Sequence, residues 1–164
     1  MKRTLLALAA ALLAIPAGLD AQGPWRLALT AGPYRVDRLA GTPIVPTATL
    51  TKQFGGRMLA GGSLGLVRAA GFYGLDALTL DLHVGVRSAP AKLEGFATGG
   101  PTTLLGGDGD GTPYLSTGLH LTTGVNWWVG PRIGFTASAT GRVWVTTGNS
   151  RFSPSATAGI VFRL

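Results

Sequence analysis

Cysteine is absent from the 164 residues, so disulfides cannot hold the fold and a lipoprotein anchor is excluded. Charge is scarce: 13% of the chain is charged, with 14 Lys and Arg against 7 Asp and Glu, whereas a water-facing surface carries about 25 to 35%. Long apolar runs are missing beyond residues 5–15, and eleven apolar residues cannot span a bilayer, which takes roughly 20 in a helix. A 3.6-residue apolar period is missing as well. With 26 Gly and 10 Pro, helices are disfavoured and an all-β chain is expected. No linker, charge block or low-complexity stretch marks a second domain.

What is present begins with Lys2 and Arg3, the apolar run from Leu5 to Ile15, and the helix-ending Pro16. This predicts a secretory signal peptide over residues 1–21. Cleavage after Ala21 fits, although Leu19 is bulky at minus three, and Ala17 is the alternative. The domain then covers residues 22–164, with twelve basic and six acidic residues, a net +6. A basic chain suggests nucleic acid. Export and the scatter of the basic residues argue against that partner, and anionic lipid headgroups fit better.

Strict two-residue alternation follows. Residues 155–164 place Ala156, Ala158, Ile160, Phe162 and Leu164 on one face, and Ser155, Thr157, Gly159, Val161 and Arg163 on the other. Residues 132–145 set Ile133, Phe135, Ala137, Ala139, Val143 and Val145 against Arg132, Thr136, Ser138, Thr140 and Arg142. Residues 114–129 and 75–87 repeat the pattern, the latter with Leu78, Leu80, Leu82, Val84 and Val86 opposite Asp81, His83 and Arg87. Residues 129–132 read as a tight turn. Weaker strands are expected at 25–30, 44–54 and 58–68. The eighth strand needed for an even count lies at 34–40 or within 89–97.

A soluble, lipocalin-like barrel would also alternate, with its apolar face inward. The low charge and the Thr, Ser and Gly of the polar face suit a crowded interior, so the Leu- and Val-rich face is expected to meet lipid. Closure would leave no unpaired backbone edge in hydrocarbon. Trp25, Trp127, Trp128 and Phe162 would share the level of an interfacial girdle.

The signal peptide, tight turn, two-faced strands and closing Gly159–Leu164 segment resemble the small outer-membrane β-barrel family. The likeness is carried mostly by residues 113–164. It implies an antiparallel up-and-down transmembrane barrel of about eight strands in the outer membrane of a diderm bacterium. It also implies outer-membrane lipids and the barrel assembly machinery as partners, the latter through the last strand. Family members usually finish on an aromatic residue; here Leu164 holds that place, with Phe162 two before it. With both chain ends periplasmic, turns near 69–74 and 129–132 would be periplasmic, and segments 88–112 and 146–154 would be extracellular loops.

Candidate chemistry is sparse, and no catalytic, cofactor-binding or metal motif emerges. Asp108 and Asp110 could open a calcium loop, but the downstream Glu is missing, and a solvated loop is the favoured reading. Asp81, His83, Ser116 and His120 face inward. If residues 75–87 and 114–129 were neighbours, with 87 paired to 113, His83 would approach Ser116 in a nucleophilic grouping. An ordinary core network with Arg87 and Arg142 is the favoured reading. Eight strands enclose little more than their own side chains, though inward Gly61, Gly65, Gly85, Gly118 and Gly124 could leave a narrow wet cavity. The expectation is a non-enzymatic membrane or surface protein. The alternative is a lipid-modifying enzyme or small-ligand binder built on the inward polar cluster.

Overall fold

A computed structural model describes residues 25–35, 42–54, 56–68, 76–107, 113–146 and 149–164. The expected signal peptide and the Asp108–Asp110 segment lie outside these residues, as does most of the expected strand at 34–40.

Eight strands form: β1 (Trp25–Pro33), β2 (Ile44–Phe54), β3 (Met58–Arg68), β4 (Asp76–Arg87), β5 (Leu93–Gly107), β6 (Pro113–Trp128), β7 (Ile133–Thr146) and β8 (Asn149–Arg163). Each pairs antiparallel with its neighbours in chain order, and β1 closes on β8, giving an up-and-down barrel. Because the strands alternate direction, the first described residue, Trp25, and Leu164 share one end with the turns at 56–57, 88–92 and 129–132. This is called the terminal end, and its opposite the far end.

Alternation places the long apolar side chains outside. On β4, Leu82, Val84 and Val86 are at least half exposed while Asp81, His83 and Arg87 are buried. The same inversion holds on β6 and β7, where Leu115, Leu119, Leu121, Phe135 and Val145 face out and His120, Asn126, Thr136 and Arg142 face in. A water-soluble barrel would have the opposite polarity, so the lipocalin-like alternative is overturned. An exterior of this kind requires hydrocarbon around it, since each large apolar side chain left in water forgoes about 1.5 to 3 kcal/mol.

Several boundaries differ from the sequence reading. The eighth strand is β5, and residue 34 contributes only an isolated bridge, Tyr34 to Ser155. Residues 88–112 are therefore not one long loop: a short turn at 88–92 leads into β5, which runs to Gly107. Arg87 pairs with Phe96, and Pro113 with Gly107, so residue 87 does not meet 113. Most of the loop expected at 146–154 is the start of β8. β3 and β4 meet at the far end, where Arg68 pairs with Asp76, so their connection does not join the turn at 129–132. Trp128 points inward and is buried, leaving Trp127 to face out.

Inward glycines draw strands together more than they leave space. A Cβ at Gly85 would sit 2.0 Å from the Ala97 carbonyl oxygen, and one at Gly118 would sit 2.1 Å from that of Val143. Only glycine fits such close backbone approach.

Candidate functional site

The interior carries two ionic clusters separated by a cavity. Near the terminal end, Glu94 of β5 is completely buried. It pairs with Arg26 from β1, the strand directly across the barrel, and with Arg87 of β4, whose Nη1 lies 2.6 Å from its Oε2. Asn126 donates to the same carboxylate at 3.4 Å. Arg87 also donates to the Gly56 carbonyl at 2.9 Å, and Arg26 to Gln53 at 3.4 Å. The Trp128 ring lies beneath two guanidinium groups, with Arg163 3.7 Å and Arg26 5.5 Å from its centroid, which stabilises cation against ring. Hydrogen-bonded partners on both carboxylate oxygens offset the loss of water around the buried charge.

Toward the far end, Asp81 of β4 is held by Arg142 of β7, with Nη2 to Oδ2 at 2.6 Å. The Thr102 hydroxyl donates to Oδ1. Arg142 reaches on to Ser155 Oγ at 2.9 Å and lies 5.0 Å over the Tyr34 ring. Between the clusters is a cavity of about 100 Å³ whose wall is rich in Thr and Ser, including Thr49, Ser63, Thr122, Thr140 and Thr157. Neighbouring hydroxyls pair across the strands, as in Thr49 to Ser63 at 2.9 Å and Thr122 to Thr140 at 2.8 Å.

Of the candidates from sequence, the structure brings Asp81 to an arginine and a threonine. His83 Nε2 lies 3.3 Å from Thr51 Oγ1, and its ring stands edge-on to His120 at 6.3 Å. Ser116 sits on the other side of β5, opposite Leu104, which in turn faces Thr79. The expected approach of His83 to Ser116 therefore fails: with β5 between the two strands, the register sets His83 level with His120 and Ser116 level with Thr79. Among the described residues, no group of three or more His, Asp or Glu could hold a metal ion.

The barrel has solved counterparts. Neisserial surface protein A from Neisseria superposes with a TM-score of 0.63 over 85% of this chain and 96% of its own, at 10% identity. The N-terminal β-barrel domain of Pseudomonas aeruginosa OprF gives 0.64 over 86% and 98%, at 12% identity. The chain has the fold of small bacterial outer-membrane barrels. OprG from Pseudomonas aeruginosa adds a third case, with a TM-score of 0.55 over 85% and 95% at 10% identity. No family model and no curated protein matches the sequence. At these identities the likeness is one of fold.

That outer-membrane fold explains which interior residues the sequence reading missed. Glu94, Arg26 and Thr102 anchor the clusters, yet none was singled out. One signal was available for Glu94: a lone carboxylate two residues after a turn, on a stretch of small and apolar residues, needs a buried cation once it faces inward.

Proposed function

We propose that this chain is an integral outer-membrane protein, exported by its signal peptide. It works as a closed, non-enzymatic barrel whose exposed surfaces, lipid-facing wall and far-end connections meet the surroundings. One observation carries this reading: two ionic struts cross the lumen, Arg26–Glu94 between opposite walls and Asp81–Arg142 farther up. The cavity beside them is small, about 100 Å³, enough for ordered water among its hydroxyls, which supports a lumen closed to larger solutes.

With an even strand number both ends of the barrel domain lie on the periplasmic side, so the terminal end is periplasmic and the far-end connections are extracellular. Phe162 on the last strand and Leu164 just after it would engage the assembly machinery, and the outer wall would take up outer-membrane lipid.

The test is paired. Membrane-fraction protein run unheated and heated in detergent should change mobility, and purified barrel in planar bilayers should show no steady conductance. An unshifted, water-soluble protein would remove the membrane reading. A persistent open conductance would remove the closed lumen.

A further inference from the structure

The outer wall has an uneven relief. On its terminal half, β5 to β8 border a shallow, open apolar groove of about 670 Å³, lined among others by Leu93, Val125, Trp127, Phe135, Ala137 and Ala158. The register aligns a bulky row, Leu93–Trp127–Phe135–Ile160, beside a row of smaller residues, Gly95–Val125–Ala137–Ala158. Trp127 and Phe135 stand 6.1 Å apart with rings tilted by 41°, forming a wall against which an acyl chain can lie.

At the terminal end of this groove the exposed side-chain charge has one sign. Lys92 precedes Leu93 and Arg132 precedes Ile133, and both side chains are exposed. Their backbones are fixed to the rim: the Lys92 carbonyl accepts from Trp128 N–H at 2.8 Å, and that of Arg132 from Arg163 N–H at 2.8 Å. The nearby carboxylate, Glu94, is completely buried among its arginines and cannot neutralise them. Lys52 on β2, across the barrel from β6, is already engaged, its ammonium 5.3 Å from the Trp25 ring and 5.4 Å from the Phe54 ring.

We propose that this groove is a binding site for an anionic phospholipid of the periplasmic leaflet, with an acyl chain along Trp127 and Phe135 and the phosphate between Lys92 and Arg132. The site rests on the outer-membrane reading and its orientation. Apolar groove and basic rim lie in the order of a phospholipid's own tail and headgroup, which a free phosphate does not need. A basic residue at an anionic lipid surface strengthens binding about five-fold.

The test uses fluorescence quenching by brominated lipid in the full barrel carrying Trp25→Phe. Trp127 is then the lipid-facing tryptophan, because Trp128 and Trp144 are both 5% exposed. In mixed vesicles, brominated phosphatidylglycerol should quench Trp127 more strongly than brominated phosphatidylcholine at equal mole fraction. Lys92→Gln should reduce that preference about five-fold, and Lys92→Gln with Arg132→Gln should bring it to parity. Lys52→Gln should leave it unchanged. Equal quenching by the two lipids in the starting protein, or a preference that survives the double substitution, would overturn the site. So would an equal loss from Lys52→Gln, because the effect would then belong to overall charge. Each variant is also checked for heat-dependent mobility, whose absence in the unsubstituted protein would overturn the barrel reading itself.

Discussion

Glu94 and Asp81 both bring a carboxylate into a wall of Thr, Ser and Gly, but their surroundings differ. Glu94 faces two guanidinium groups, from β1 and β4, and a third, that of Arg163, stacks beyond on Trp128. Asp81 faces one, that of Arg142, together with the neutral hydroxyl of Thr102. The far cluster balances its charge by pairing, whereas the terminal cluster carries surplus cation. That surplus is accommodated by an aromatic face and by turn carbonyls: Gly56 accepts from Arg87 and Pro131 from Arg163. Ring faces and backbone oxygens thus take the place of additional carboxylates in a low-dielectric interior.

Removing each carboxylate should break this contrast unequally. Glu94→Ala strands two buried arginines and is expected to cost about 5 kcal/mol, the upper end for a broken buried pair; urea unfolding in lipid vesicles, followed by gel mobility, measures it. Asp81→Ala strands Arg142 alone, which keeps Ser155, and the same assay should return about 3 kcal/mol. Equal losses at the two sites would erase the proposed difference. Arg87→Gln sharpens it, because Glu94 keeps Arg26 on both oxygens and loses one charged hydrogen bond, worth about 2 kcal/mol. Thr102→Val should be smallest, about 1.5 kcal/mol, the low end for a hydrogen bond to a charged group, on a carboxylate that keeps its arginine. A Thr102→Val loss as large as that of Asp81→Ala would make the hydroxyl the principal partner.

The strands that could be read directly were those with bulk on one face. β4, β6, β7 and β8 alternate Leu, Val, Ile or Phe with small polar residues, and β2 and β3 were bounded to the residue. β5 was legible only as a short alternative strand within 89–97, because its outward positions Gly95, Ala97, Gly99 and Pro101 lack that bulk, while Phe96 and Leu104 turn inward and blur the period. Its glycines and Pro101, which has no N–H to give a ladder, carry the signature of a loop. Reading residues 88–112 chiefly as a loop had consequences for the interior. It made β4 and β6 neighbours, set His83 near Ser116, and hid the strand that supplies Glu94 and Thr102. Asp81, His83, His120 and Arg142 were legible as inward polar residues, since alternation alone fixes the side they face. Their partners come from strands far apart in sequence, and only the closed register sets those distances.

The β1–β8 junction joins the two extremes of the described chain. Its ladder runs from Arg26–Arg163 to Ala31–Ala158, far shorter than the β5–β6 ladder, which extends from Leu93–Trp127 to Gly107–Pro113. Hairpins such as β6–β7, joined through residues 129–132, can form locally within microseconds, but this junction must gather residues 127 to 137 positions apart and bears the largest loop-closure entropy. Its pairing therefore carries the greatest closure cost of any in the barrel, offset by the fewest ladder positions. The Arg26–Glu94 pair, tying β1 to the opposite wall, gives the strand at this seam a hold that its short ladder lacks.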